Sequence, residues 1–204
     1  MLNKKIFLLA LSGVAVFLLP GCSLGNKIGQ YGQDVQTSLG NISVKSTKNA
    51  GTLKTTNGNV DIGRHAKVKS VEVINGNVTI GNFSQAVSLQ TTNGNILVSE
   101  NVLINGNVKT TNGNIRINGR AEIGASIITD SGDIFIAQGV TVMGDIIFNK
   151  SGFLLSQFKK ELPILEIANE VTIKGKIHLY REIDLRLGHS IDPEKILHHY
   201  DDRK

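Results

Sequence analysis

The sequence predicts an all-β chain wound as a single-stranded triangular parallel β-helix of about 18 residues per rung. Two observations point there. Asn-Gly-Asn followed by Val or Ile recurs at Asn57-Gly58-Asn59-Val60, Asn75-Gly76-Asn77-Val78, Asn93-Gly94-Asn95-Ile96 and Asn112-Gly113-Asn114-Ile115. Leu39-Gly40-Asn41-Ile42 precedes these copies and the decayed Ser131-Gly132-Asp133-Ile134 follows, so the glycines step by 18, 18, 18, 19 and 19 residues. Between glycines the apolar residues come in pairs spaced i, i+2, the alternation of a short strand with one buried face.

Each rung holds three such pairs. The first follows the glycine by two and four: Val60/Ile62, Val78/Ile80, Ile96/Val98, Ile115/Ile117 and Ile134/Ile136. The second is Ala66/Val68, Ser84/Ala86, Val102/Ile104, Ala121/Ile123 and Val140/Val142. The third is Leu53/Thr55, Val71/Val73, Leu89/Thr91, Val108/Thr110, Ile127/Thr129 and Ile146/Phe148. Gly, Asn, Asp and Ser separate the pairs, residues suited to the sharp corners of a triangular coil. Stacking rungs about 4.8 Å apart would pile aliphatic side chains inside and build an asparagine ladder along one edge. That ladder comprises Asn57, Gly58, Asn59, Asn75, Gly76, Asn77, Asn93, Gly94, Asn95, Asn112, Gly113 and Asn114.

The rungs occupy residues 39–148 and resume over 164–187, where Leu165/Ile167, Val171/Ile173, Ile177/Leu179 and Ile183/Leu185 repeat every six residues. Residues 149–163 are too irregular for a rung and read as a loop inserted at one corner. Asp192-Pro193 is an N-cap signature with Pro in the first turn, so residues 188–204 are expected to form a short cap helix to about Tyr200 and a solvated tail.

At the other end, residues 1–21 carry Lys4 and Lys5 and an apolar run from Ile6 to Leu19, the pattern of a secretory signal. The run is short for a membrane span. Leu19-Pro20-Gly21-Cys22 resembles the lipobox of bacterial lipoproteins, which implies lipidation of Cys22, the single cysteine of the chain. By that resemblance Ser23 favours the outer membrane, and residues 22–38 are expected to be the lipidated cysteine and a tether. Without Lys4 and Lys5 the chain has 20 Lys+Arg against 17 Asp+Glu, and no basic stripe interleaved with aromatics, so no nucleic-acid partner is indicated.

The Gly-Asn-Val/Ile corners and the aliphatic pairs after them, as in Gly76-Asn77-Val78-Thr79-Ile80-Gly81, resemble the polymer-forming domain of bactofilins from Gly40 to Phe148. The resemblance implies a right-handed coil and end-to-end self-assembly without a nucleotide. A cap helix over the last rung would block stacking at that end.

No reaction chemistry stands out. The outward place three residues after each glycine holds Asp61, Thr79, Leu97, Arg116 and Phe135, so no column of carboxylates forms for glycan cleavage. His65 and His178 have no carboxylate partner nearby in sequence, and Asp130-Ser131-Gly132-Asp133 reads as a turn. His198, His199, Asp201 and Asp202 have metal-ligand types in a polar tail, and no metal or cofactor is expected. Phe153 and Phe158 with Lys159 and Lys160 make the 149–163 loop the candidate contact for an envelope protein, a glycan or a membrane surface. The reading is therefore a non-enzymatic, lipid-anchored structural or interaction module of the bacterial envelope. A carbohydrate-binding or carbohydrate-active β-helix is the alternative.

Overall fold

A computed structural model describes residues 24–150 and 161–200. The chain winds into a parallel β-solenoid with three faces. Face 1 stacks nine strands: Lys27–Gly29, Ile42–Val44, Val60–Ile62, Val78–Ile80, Ile96–Val98, Ile115–Ile117, Ile134–Ile136, Ile164–Ile167 and Asp184–Leu187. Face 3 also stacks nine: Val35–Leu39, Leu53–Asn57, Ser70–Asn75, Ser88–Asn93, Val108–Asn112, Ile127–Ser131, Ile146–Phe148, Ile177–Leu179 and Ile196–His198. Face 2 is narrower, with the two-residue strands Gln85–Ala86, Leu103–Ile104, Glu122–Ile123, Thr141–Val142 and Thr172–Ile173. Isolated bridges at Asn49, Lys67 and Gln85 extend it towards the N-terminus.

Register is what makes the three faces one object. Val60 lies on Val78, Val78 on Ile96, Ile96 on Ile115 and Ile115 on Ile134. All three sets of apolar pairs point inward: the first-pair residues are at most 3% exposed, and the second and third pairs are buried throughout. A period-2 strand must present these residues to one side, and only the interior of the coil removes them from water. Threonine at the inner end of face 3 is buried too: the hydroxyls of Thr55, Thr91 and Thr110 donate to the carbonyls of Gly40, Gly76 and Gly94 at 2.9–3.1 Å, while that of Thr129 has no partner.

Both expected boundaries move outward. Residues 27–39 are a coil, not a tether: Lys27, Ile28 and Gly29 pair with Ile42, Ser43 and Val44, while Val35 and Thr37 pair with Leu53 and Thr55. Lysine and glycine in inward places hid that coil from an aliphatic pattern. At the far end the expected helix shrinks to one 3-10 turn, Pro193–Lys195, capped by Asp192 accepting from the Glu194 N–H at 2.9 Å. The chain then re-enters face 3, with Ile196–His198 pairing with Ile177–Leu179. Asp184–Leu187 likewise opens a further coil on Ile164–Ile167 instead of closing the last one. The insertion leaves from the asparagine edge, between Ile146–Phe148 of face 3 and Ile164–Ile167 of face 1.

Candidate functional site

The asparagine edge, expected as one ladder, is two ladders with different chemistry. Before each glycine, side-chain amides bond to one another: Asn75 to Asn57, Asn93 to Asn75 and Asn112 to Asn93, each Nδ2 donating to Oδ1 at 2.8 Å. After each glycine, the side chain serves the backbone of the next coil. The N–H groups of Asn59, Asn77, Asn95, Asn114 and Asp133 donate to the Oδ1 atoms of Asn41, Asn59, Asn77, Asn95 and Asn114 at 2.8–2.9 Å. Asp133 extends the series past the insertion by accepting from Ile164 N at 2.9 Å. The acidic turn Asp130-Ser131-Gly132-Asp133 is thus a continuation of the ladder, and Asn149 donates to Asp130 Oδ1 at 2.7 Å. Between the two ladders the glycines pack so closely that a Cβ on Gly76 would overlap the Gly58 carbonyl oxygen.

The edge between faces 1 and 2 works differently. Tyr31, Thr47, His65, Phe83, Asn101, Arg120 and Glu170 hold φ between 55° and 64°, and Gly139 holds 77°. A left-handed residue turns the chain there in each of the first eight coils, joined by Gly32 in the first, and most are types that rarely adopt it. The glycines near this corner, such as Gly63 and Gly81, instead provide room against the coil beneath. His65 and Phe83 lie parallel on this edge with ring centroids 5.0 Å apart.

The most site-like cluster sits at the C-terminal end of face 3. His178 Nδ1 lies 3.0 Å from His199 Nε2, and the rings are within 8° of parallel with centroids 5.2 Å apart. That separation places the rings edge to edge in nearly one plane, an imidazole–imidazole hydrogen bond in which one nitrogen donates and the other accepts. His178 Nε2 is 3.9 Å from Asp145 Oδ2, and Tyr180 stacks on His199 at 4.4 Å. His178 Nδ1 is engaged by His199 and the carboxylate lies beyond the opposite nitrogen, so the three groups do not converge on one point. Among the described residues no group of three or more His, Cys, Asp or Glu side chains is placed to hold a metal ion. Sequence separation hid the Asp145–His178 approach; the coil brings residues 33 positions apart onto neighbouring turns. Nearby, the Arg181 guanidinium donates to the Asp130 carbonyl at 3.2 Å, and burial pulls its pKa below the ordinary value.

Outward columns change character along the axis. On face 3, Gln36, Lys54, Glu72 and Gln90 form a polar run in which Lys54 and Glu72 pair at 2.7 Å. With Thr56, Ile74 and Thr92 they line a shallow trough of about 370 Å³. Further on, Lys109 gives way to Ile128, Ile147, His178 and Leu197. On face 1 the expected order Asp61, Thr79, Leu97, Arg116, Phe135 is observed, with the Arg116 guanidinium 4.4 Å above the Phe135 ring. Cys22 and the loop residues Phe153, Phe158, Lys159 and Lys160 lie outside the described residues, as does the tail from 201 to 204.

Neither the curated proteins nor the solved structures contain a match to the chain. A family model described as Toastrack DUF4097 matches residues 30–145, which is more than half of the sequence and spans the coils from the first to the corner after Met143. The chain belongs to the Toastrack DUF4097 family.

Proposed function

We propose that this chain is a non-enzymatic scaffold of the bacterial envelope, held to a membrane through lipid on Cys22 and presenting a stiff β-solenoid. The observation that carries the reading is the unbroken register of nine parallel strands on each of two faces, from Lys27 to His198. Nine coils at about 4.8 Å each give a column of roughly 40 Å. Every coil is braced by its neighbours through side-chain ladders, so the column resists bending and keeps its outward residues at fixed spacing. Such a body suits display and spacing.

Fractionation of cells expressing the full chain tests the anchor: the mature protein should sit in the membrane fraction with a lipid mass on its N-terminal cysteine, and Cys22→Ser should release it. Recovery of unmodified, soluble protein with Cys22 intact would sink that part. The scaffold reading is separated from catalysis by complementation. An envelope defect caused by deleting the gene should be restored by the Asp145→Asn/His178→Gln double variant. Failure of that variant, with its fold intact by circular dichroism, would move the function onto those groups.

A second reading is bactofilin-like self-assembly, supported by the C-terminal end. There Leu185, Leu187, Ile191 and Ile196 continue the inner columns yet are only partly buried. The expected helix is not present to cover them. Electron microscopy of residues 23–204 separates the two, because stacked solenoids would appear as filaments or paired rods.

A further inference from the structure

We propose that the first coil is a membrane-seating surface, which sets the face 1 side of the solenoid's N-terminal end into the headgroup region of an anionic bilayer. Four of the nine exposed large hydrophobic residues among those described belong to this one coil: Leu24 (61% exposed), Ile28 (55%), Tyr31 (77%) and Leu39 (56%). They lie on face 1 and the two edges that flank it. Leu24 and Leu39 bridge at the asparagine edge, Ile28 points out from face 1, and Tyr31 stands on the left-handed edge. Singly exposed apolar residues are ordinary, but four of them on one side of a single end coil form a patch that needs a partner.

Charge names the partner. Residues 23–72 carry 7 Lys+Arg against 3 Asp+Glu, whereas residues 73–204 carry 13 against 14. Lys27, Lys45 and Lys48 belong to the first coil and the one above it, and Lys45 and Lys48 are exposed. A basic collar just above an apolar rim matches an anionic headgroup layer over acyl chains. The same Lys27 disfavours the other occupant, a second solenoid stacked on this end. Lys27 stands at the head of the inward column that Ile42 continues, so stacking would bring its ammonium towards an apolar interior.

The length of free chain agrees. Among the described residues backbone bonding begins at Gly25, whose N–H donates to Leu39 O at 2.7 Å, followed by Lys27 N to Asn41 O at 2.8 Å. Only Ser23 and Leu24 separate Cys22 from Gly25, a reach of about 10 Å at full extension. A lipid on Cys22 would therefore hold the first coil at the bilayer surface with no slack for a swinging tether. This inference rests on the anchored reading for its location, but the seat is testable without the lipid.

Residues 23–204, which retain every described coil and strand pairing, are incubated with vesicles of phosphatidylcholine alone or mixed with phosphatidylglycerol, and binding is read by co-sedimentation. Binding is expected to the mixed vesicles and to fall with added salt. Lys45→Gln with Lys48→Gln should lower the partition coefficient roughly 30-fold. Leu24→Gln with Tyr31→Gln should lower it at least about 10-fold. Lys174→Gln with Lys176→Gln, at the other end, should leave it unchanged, and circular dichroism checks that all variants keep their strands. Absent binding, equal binding to neutral vesicles, or loss caused equally by the far-end pair overturns the seat. Vesicle binding that persists while Cys22 proves unmodified in cells overturns the anchor and leaves the seat standing.

Discussion

The two edges that flank face 1 turn the same chain, and they do it by opposite means. Along the asparagine edge, the residue that turns is glycine in six successive coils before the insertion: Gly40, Gly58, Gly76, Gly94, Gly113 and Gly132. Along the left-handed edge it is Tyr31, Thr47, His65, Phe83, Asn101, Arg120, Gly139 and Glu170. The difference lies in what a side chain would meet. At the first edge a Cβ would enter the carbonyl of the glycine one coil below, which is backbone and cannot move aside. At the second edge the side chain points into solvent or along its neighbours, and only the torsional penalty of a left-handed residue remains, about 1–2 kcal/mol. A steric veto leaves one amino acid; a torsional toll leaves nearly all of them.

Gly76→Ala tests the veto and should have the largest effect. Its Cβ would overlap the Gly58 carbonyl, and its φ of +155° adds strain, so both coils must shift. A loss of about 4 kcal/mol or more in urea unfolding, or failure to fold, is expected. Gly119→Ala is the companion measurement, because its nearest atom, Gln138 O, lies 3.1 Å away and can give slightly. About 1 kcal/mol is expected there. Equal losses at the two positions would show that crowding is not what selects glycine on the asparagine edge.

The same distinction explains how much of the molecule could be read from the chain. Face 1, the inner columns and the asparagine edge were legible because sterics and burial restrict residue choice at Val60, Gly76 or Ile115 in every coil. The first coil was not, because Lys27 and Gly29 occupy inward places where the interior ends and burial no longer dictates an aliphatic. The last coil was misread for a related reason. Asp192 and Pro193 form a genuine cap, but it opens a single turn before Ile196–His198 returns to the sheet, where pairing along a long edge outweighs local propensity. Of the side-chain clusters, Asp145, His178 and His199 were invisible because solenoid neighbours are a coil apart in sequence, and the insertion lengthens that coil.

Within the asparagine edge the two ladders should separate next. Asn77 Oδ1 accepts the Asn95 backbone N–H at 2.8 Å, so Asn77→Ala leaves a main-chain donor to water and should cost about 1 kcal/mol. Asn77→Asp keeps the acceptor, as Asp133 does for Ile164, and should be nearly neutral. Asn75 answers differently, since its amide both donates to Asn57 and accepts from Asn93. Asn75→Asp removes the donor and sets a carboxylate against the Asn57 Oδ1, with an expected cost of about 1 kcal/mol. Chemical denaturation of the two Asp variants decides: if Asn77→Asp is the more damaging, the division of labour between the ladders is wrong.

The smallest effect carries the opposite sign. Thr47 is β-branched, exposed, and held at φ 64° on the left-handed edge. Its hydroxyl bonds only to the neighbouring Ser46 carbonyl, at 2.6 Å on the surface. Glycine at this position removes about 1–2 kcal/mol of backbone strain. Against that stands the extra freedom glycine gives the unfolded chain, about 0.5–1 kcal/mol. Thr47→Gly should therefore stabilise the solenoid by about 0.5–1 kcal/mol, a rise of a few degrees in melting temperature. Asn101→Gly, at the same place three coils on, should show no such gain, because asparagine already tolerates φ 56°. A melting temperature that falls for Thr47→Gly would mean that the side chain braces the corner, and that this edge too is selected by contact and not merely tolerated.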